Sequence, residues 1–176
     1  MERHMRAYQF IAFTAVILII PATCTAQAKP PAKMQTSRVP SIEGAYELIS
    51  RTMPDGRIQK PPDLMGLVTY TKNRRNMNMY WKDSLGRHSS YSMASTYRLT
   101  KTEYIETVLF SILNDQVSGN EIKYDLAGKT STATVKIEGG RIVLRLPSDA
   151  PSVIFEGETM TASAAGMFTD RWQKVK

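Results

Sequence analysis

Apolar residues in most of this chain recur at every second position, in short runs separated by turn signals. Between residues 41 and 175 about ten such runs follow one another, spaced roughly 8–14 residues apart. This alternation is typical of half-buried β-strands, and no segment of the region shows the sustained 3.6-residue apolar period of a capped helix. The dipeptide Gly139-Gly140 between two alternating runs predicts a tight hairpin. Because closing a sheet removes its exposed edges, we expect an all-β fold, a closed or nearly closed antiparallel meander β-barrel of about 8–10 strands.

The stretch from residue 95 to residue 111 carries the most informative strand pattern. Two runs rich in aromatic and β-branched residues flank the polar segment 100–102, which predicts a hairpin. Period two puts Tyr104, Glu106, Val108 and Phe110 on one face of the second run. Since both faces of this run are largely apolar, it suits a barrel wall with one face lining a cavity and the other packed against neighbours.

The first 26 residues have the layout of a secretory signal peptide. Arg3 and Arg6 precede an apolar run over residues 10–20, Pro21 ends that run, and small residues follow. The run is shorter than the roughly 20 apolar residues that span a bilayer. We therefore expect an exported protein, periplasmic or secreted, with no transmembrane segment after removal of the signal.

This layout divides the chain into a signal peptide (1–26), a linker (27–40) and a barrel domain (41–176). Cys24 is the only cysteine and falls within the signal peptide, so the mature domain has no disulfide. Cys24 either leaves with the signal or becomes a lipid-anchored N-terminus. A lipoprotein signal usually has a leucine three residues before the cysteine and glycine, alanine or serine directly before it, where this chain has Pro21 and Thr23. These differences favour removal of Cys24 with the signal.

The positive charge of the chain does not indicate a nucleic-acid partner. The formal net charge is +7, but the basic residues are scattered along the strands and turns, and only Lys72 to Arg75 cluster. A nucleic-acid surface needs a basic patch or stripe. Solvated strand faces account for these residues, so we predict no nucleic-acid partner and leave the oligomeric state open.

Few residues are available for metal or cofactor chemistry. Outside the signal peptide His88 is the only histidine and no thiol remains, so zinc lacks its usual ligands. The acidic residues lack calcium-loop spacing. His88 lies in the polar turn 86–90, where no rigid element would position it for a Ser-His-Asp hydrolase. Gly139-Gly140 opens no helix, as a phosphate loop would. We predict no metal, no cofactor and no catalytic residue.

Several segments resemble the bacterial lipocalin-like domain families. Those families commonly begin with a Gly-x-Trp-x-Leu-x-Ser strand, a DG turn and a G-x-L-x-Y-T strand. The matching segments here are Gly44-Ala-Tyr-Glu-Leu-Ile-Ser, Asp55-Gly56 and Gly66-Leu-Val-Thr-Tyr-Thr. The region from Tyr97 to Val108 is similar to their "Y-x-L … Y-x-E" stretch, and Phe168-Thr-Asp-Arg-Trp-Gln-Lys-Val resembles their closing strand. The resemblance covers roughly residues 41–175 and implies a barrel that binds a small molecule.

The first strand departs from this family pattern at one position. Lipocalins generally carry a tryptophan there, with an arginine of the last strand packed over it at the closed end of the barrel. Here the aromatic residue is Tyr46, and Arg171 is the candidate partner, with Trp172 as a further aromatic nearby in sequence. A cation–π contact to tyrosine is weaker than one to tryptophan.

Aromatic residues and methionines at strand period two are candidates for the wall of an internal cavity, although the same pattern is typical of an ordinary core. A barrel of this size is just wide enough for one small ligand. The ten methionines of the chain favour a pocket that adapts its shape. The candidate ligand-binding residues are Tyr70, Met77, Met79, Trp81, Tyr97, Tyr104, Glu106 and Phe155, with Met93 and Val108 as further wall residues.

Glu106 has three possible roles. An inward carboxylate is costly unless it is hydrogen-bonded, paired or protonated. It could form an internal hydrogen bond or ion pair, to Arg98 or to a tyrosine of the barrel. It could instead orient an amine or hydroxyl of a ligand, or act as a general acid or base.

We therefore expect an exported barrel that binds a small, mostly apolar molecule in its interior without chemical change. One alternative is an isomerase, cyclase or lyase that uses Glu106 with Tyr104 or Tyr70 for proton transfer. Another is an envelope module that binds a protein partner and has a filled barrel. The volume of the cavity separates this last alternative from the other two, because a cavity below about 300 Å³ excludes a drug-sized ligand. An enzyme needs Glu106 inside the barrel and unpaired by arginine or lysine.

Overall fold

The computed structural model describes residues 41–126, 128–145 and 152–176. The predicted signal peptide and linker, residues 1–40, lie outside the described residues, so the expected export and the fate of Cys24 stay predictions. Within the described ranges every regular element is a strand, and none is a helix that could span a membrane.

Twelve strands follow one another in the described part of the chain. They are β1 (Gly44–Thr52), β2 (Ile58–Gln59), β3 (Leu64–Tyr70), β4 (Arg74–Lys82), β5 (His88–Leu99), β6 (Glu103–Asp115), β7 (Lys123–Asp125), β8 (Thr130–Glu138), β9 (Arg141–Arg145), β10 (Ser152–Glu156), β11 (Thr159–Ala164) and β12 (Phe168–Lys174).

Ten of these strands form a closed antiparallel barrel. Each pairs with its neighbours in the order β1, β3, β4, β5, β6, β8, β9, β10, β11 and β12, and β12 pairs back with β1 from Tyr46–Lys174 to Thr52–Thr169. The two remaining strands extend this sheet locally, since β2 pairs with the end of β1 and β7 with the end of β6. The prediction of a closed antiparallel meander barrel is confirmed.

Aromatic rings fill one end of the barrel, where β1 begins and β3 ends. Four of them meet edge to face, with ring centroids 5.5–6.3 Å apart, and Tyr104 stacks on Tyr97 at 5.4 Å. We call these five residues the aromatic cluster: Tyr46, Tyr70, Tyr97, Tyr104 and Phe155. All five are at least nine-tenths buried. Offset and edge-to-face ring pairs stabilise a core beyond their buried area, so this end is a packed plug.

A β-bulge in β6 overturns one predicted strand face. Ser95 pairs with Val108 and Ala94 with Phe110, so Leu109 has no partner in β5. One extra residue shifts the alternation of side chains by one position. Phe110 therefore leaves the face of Tyr104 and Glu106, and its side chain is 38% exposed on the outer surface. The prediction that Phe110 shares their face is wrong.

The predicted contact between Arg171 and Tyr46 is also wrong. Arg171 is exposed, because it lies at an outward position of β12 between the buried Asp170 and Trp172. The cation over the Tyr46 ring is Lys174, whose Nζ is 5.8 Å from the ring centroid. Its side chain crosses directly above Gly44, where a Cβ atom would lie 2.3 Å from the Lys174 Cε. The cation that contacts Tyr46 from the last strand is thus Lys174 and not Arg171.

Gly66 is required by the packing of Trp172 against the inner face of β3. A Cβ atom built on Gly66 would lie 2.9 Å from the Trp172 Cη2 and 3.1 Å from both the Trp172 Cζ3 and the Leu48 Cβ. The Trp172 ring and Leu48 are both almost fully buried, so an added methyl group must displace packed side chains.

We expect Gly66→Ala to destabilise the protein by about 1–3 kcal/mol, because overpacking a dense core forces its neighbours to shift. Denaturant unfolding measures this difference. In a Trp172→Phe background, where the clashing part of the indole is removed, the same substitution should destabilise by clearly less. Equal effects in both backgrounds would show that the Trp172 ring is not the obstacle.

The buried tyrosines make the fold sensitive to alkali. Burial, followed by the charge of Glu43, raises the pKa of Tyr97 to about 12, and burial also raises the pKa values of Tyr46, Tyr70 and Tyr104. Unfolded tyrosine ionises near pH 10. Above that pH the unfolded chain loses protons that the folded protein retains, so the stability present below about pH 10 decreases as the pH rises towards 12.

We expect the free energy of unfolding to fall by up to about 1.4 kcal/mol per pH unit for each such tyrosine between about pH 10 and 12. Urea unfolding at successive pH values, followed by circular dichroism, measures this slope. In Tyr97→Phe the free energy of unfolding should fall less steeply with pH, by the contribution of one tyrosine. A slope that is unchanged in Tyr97→Phe would contradict the assignment.

Candidate functional site

A buried ion pair, Arg75–Glu106, lies inside the barrel next to the aromatic cluster. Arg75 stands on β4 and Glu106 on β6, one strand apart, with β5 between them. The Arg75 Nη1 donates to both Glu106 carboxylate oxygens, at 3.0 and 3.1 Å. The Ser95 hydroxyl, on β5, also donates to Glu106. The three strands thus position a carboxylate whose charge is balanced and whose oxygens are hydrogen-bonded.

Tyr70 lies beside the Arg75 guanidinium, with its ring centroid 5.6 Å from the Arg75 Cζ. Burial raises the pKa of Tyr70, and the charge and hydrogen bonding of Arg75 lower it. The rest of the Arg75 guanidinium has only weak partners among the described residues. Its Nη2 lies 3.4 Å from the Met77 Sδ, a weak acceptor, and its buried Nε has no hydrogen-bond partner. Burial alone would lower the pKa of Arg75, but Tyr70 and Glu106 together raise it above its usual value. Arg75 is therefore a cation that uses one of its three nitrogens for its internal carboxylate partner.

A second buried ion pair, Arg51–Asp170, joins the first and last strands of the barrel. Arg51 and Asp170 are opposite each other in the pairing of β1 with β12. The Arg51 Nε and Nη2 donate to the two Asp170 oxygens at 2.7 and 2.8 Å, a bidentate contact. The Arg51 guanidinium also lies 4.1 Å from the centroid of the Phe168 ring. This pair is saturated, because both carboxylate oxygens and both donors of that edge are used.

A cavity of about 100 Å³ lies between the two ion pairs. Both pairs contribute to its lining, and most of the remaining wall is apolar. The other lining residues are Tyr70, Met77, Met79, Tyr104, Leu144, Val153, Met160, Ala162, Phe168 and Trp172.

Unpaired hydrogen-bond donors concentrate at this cavity. Within the part of the chain that the structure describes, three buried side-chain polar atoms lack a partner: Arg75 Nε, Tyr104 Oη and Trp172 Nε1. All three belong to residues that line the cavity. Burial, and also the charge and hydrogen bonding of the nearby Glu106 carboxylate, raise the pKa of Tyr104, although the Tyr104 hydroxyl has no partner at good hydrogen-bond geometry. Since buried donors are normally satisfied, their grouping here marks the cavity as a binding site candidate.

The tyrosines at the cavity act as hydrogen-bond donors rather than bases at neutral pH. Burial is the main cause that raises the pKa values of Tyr70 and Tyr104, and the nearby Glu106 carboxylate raises them further. A phenol with a raised pKa keeps its proton.

Five of the eight sequence-predicted ligand-binding residues line the cavity: Tyr70, Met77, Met79, Tyr104 and Glu106. Their role in binding stays a prediction.

The other three do not line the cavity. Tyr97 and Phe155 are held in the aromatic cluster, and the Tyr97 hydroxyl donates to the Thr71 carbonyl. Trp81 lies at the far end of β4, opposite Leu64 and Ser89. Met93 and Val108, the further wall candidates, are also outside the lining. Tyr97 and Phe155 lie at a height of the barrel that the aromatic cluster fills.

The site contains charged residues that the sequence interpretation missed, above all Arg75. The segment 73–76 reads as a turn with a basic cluster, whereas β4 begins at Arg74. The alternation of every second residue, continued backwards from Met79 and Met77, reaches Arg75. The sequence therefore does indicate that Arg75 shares the face of these methionines. Arg51, Asp170 and Trp172 come together only through the β1–β12 pairing, which no local pattern reveals.

Glu106 has the structural role that the sequence left open, although with another partner. The ion pair is with Arg75, whereas Arg98 points outwards and is exposed. In the described parts of the chain, no group of three or more His, Cys, Asp or Glu residues could hold a metal ion.

Comparison with known proteins yields no relative. No protein-family model matches the chain, and no curated protein or solved structure matches it either.

Tyr97 and Tyr104 stack on each other, but only the Tyr97 hydroxyl has a hydrogen-bond partner. Replacing each of them with phenylalanine therefore gives a matched pair of variants. Tyr104→Phe removes a hydroxyl that has no partner, so we expect the free energy of unfolding to stay within about 0.5 kcal/mol of the parent or to rise. Tyr97→Phe removes a bonded hydroxyl and should destabilise by about 1 kcal/mol. Urea unfolding of both variants at pH 7 tests this order. A larger loss for Tyr104→Phe would show that its hydroxyl is bonded in solution.

Proposed function

We propose that this protein is an exported barrel that binds a small, mostly apolar molecule in its interior without chemical change. The observation that carries the proposal is the cavity between the two ion pairs, with apolar walls and a few polar atoms that lack partners. This composition is typical of ligand pockets, where apolar surface supplies affinity and a few polar groups fix orientation. The resemblance to lipocalin-like domains supports the same function.

The size of the cavity restricts the ligand. Pockets for drug-sized molecules begin near 300 Å³, and an apolar cavity of about 150 Å³ holds benzene. At about 100 Å³ the cavity takes a molecule of only a few non-hydrogen atoms. Three methionines in the wall, Met77, Met79 and Met160, have flexible side chains that can repack around such a guest.

The pairing of Glu106 favours binding over proton transfer. A general base must be free to accept a proton from its substrate. Glu106 instead accepts hydrogen bonds from Arg75 and Ser95, and the tyrosines beside it have raised pKa values. At about 100 Å³ the cavity lies below the limit of about 300 Å³, so its volume favours a very small guest or a filled interaction module over a drug-sized ligand.

The proposal predicts that a small neutral probe enters the cavity and is displaced when the cavity is filled. In protein labelled with ¹³C at the methionine methyl groups, titration with 1-propanol should shift the signals of Met77, Met79 and Met160. Met93 is the internal control and should not move, because it is buried but lies outside the cavity lining. Ala162→Leu places a larger side chain in the cavity and should abolish the shifts, whereas Ala165→Leu, at an exposed position, should preserve them.

Native mass spectrometry of the protein purified from its own host would show whether a natural ligand is retained. We expect an added mass that is lost in Ala162→Leu. Cavity methyl groups that respond neither to 1-propanol nor to a charged probe of similar size would overturn the proposal. Replacing Glu106 is a poorer test, because it leaves the Arg75 charge buried without a partner, which typically destabilises by about 3–5 kcal/mol.

A further inference from the structure

We propose that the free edge of the Arg75 guanidinium is a carboxylate-binding site, and that the ligand is a short-chain monocarboxylate. This inference rests on the function proposed above and adds the chemical class of the ligand. The carboxylate would lie against Arg75, and its short hydrocarbon tail would contact the apolar wall of the cavity.

The two arginines of the cavity provide an internal comparison. Arg51 donates hydrogen bonds to Asp170 from its Nε and Nη2. These two nitrogens form the edge of the guanidinium that matches the two oxygens of a carboxylate. Arg75 contacts Glu106 through Nη1 alone. On the same Nε–Nη2 edge of Arg75, Nε has no hydrogen-bond partner and Nη2 has the weak acceptor Met77 Sδ, while the Tyr70 ring centroid lies 5.6 Å from the guanidinium. The methionine side chain is flexible, so the edge can be uncovered.

The other unpaired atoms at the cavity are also donors. Trp172 is 3% exposed and Tyr104 is 2% exposed, and neither the indole Nε1 nor the phenol Oη has a partner. An indole N–H can only donate, and a phenol that keeps its proton donates as well. A ligand that satisfies this set must therefore present acceptor atoms. This requirement argues against an amine, which brings further donors and a positive charge next to Arg75.

Charge and shape together select a monocarboxylate. The two ion pairs leave the cavity close to neutral, since each cation has its own carboxylate. A bound carboxylate adds one negative charge near Glu106, which limits affinity, and a doubly charged phosphate would add two. A planar carboxylate also matches the fork of an arginine edge, whereas a neutral amide replaces one acceptor with a donor.

The experiment compares three probes of nearly equal size: propionate, propionamide and propylamine. Each is titrated at millimolar concentration into the ¹³C-methionine protein at constant pH and ionic strength. We expect propionate to shift the signals of Met77, Met79 and Met160, to bind at least about tenfold more tightly than propionamide, and to bind far more tightly than propylamine.

The matched variants are Arg75→Lys and Arg74→Lys. Arg75→Lys keeps a cation for Glu106 but removes the planar edge, so propionate affinity should fall at least about tenfold while 1-propanol still binds. Arg74 is the exposed neighbour on the same strand, and Arg74→Lys should bind propionate like the parent. If Arg75→Lys does not fold, Tyr104→Phe takes its place. It should weaken propionate more than 1-propanol, because it removes a donor and leaves the apolar wall intact.

The outcomes separate this inference from the proposed function. If 1-propanol binds but propionate does not exceed propionamide, the carboxylate site is overturned and the binding function stands. Undiminished propionate binding in Arg75→Lys, or equal weakening of both probes in Tyr104→Phe, also overturns it. If neither 1-propanol nor propionate shifts the signals of the cavity methyl groups, both the proposed function and the inference that rests on it are overturned.

Discussion

The pairing of β12 with β1 is the constraint on which the rest of this structure depends. It converts a linear meander into a ring of ten strands, so no barrel strand is left with an unpaired edge along its full length. It also makes the inner face of every strand part of one enclosed space. Polar side chains on that face must then find partners across the barrel, because water is largely excluded from them.

The two ion pairs show how the enclosed space meets this demand. Arg51–Asp170 forms across the closing strands themselves and uses all of its bidentate geometry. Arg75–Glu106 spans three adjacent strands and leaves part of its guanidinium unused. Buried pairs contribute little net stability when compared with a well-packed apolar core. We propose that both pairs serve the cavity they enclose, and the unused edge of Arg75 gives this proposal a chemical direction.

Sequence patterns anticipated much of this arrangement and failed for identifiable reasons. Alternation placed Glu106 on one strand face with Tyr104 and Val108, a candidate wall of the cavity, and Glu106 is indeed inside. It failed for Phe110, because a bulge adds one residue that period two cannot foresee. It missed Arg75, since a basic cluster next to asparagines is as typical of a turn as of a strand start. It placed Tyr97 and Phe155 on the correct face, but could not show that the aromatic cluster fills that height of the barrel.

The sequence by itself determined the all-β class, the approximate strand positions and the inward face of most strands, because these depend on side-chain alternation along a few neighbouring residues. Tertiary structure decided which charges meet, which inward residues face open space and which cation covers Tyr46. Arg51 and Asp170 are 119 positions apart, and only the register of β1 against β12 makes them neighbours. Register and closure are properties of the whole ring, so the contents of its interior follow from contacts that no local segment encodes.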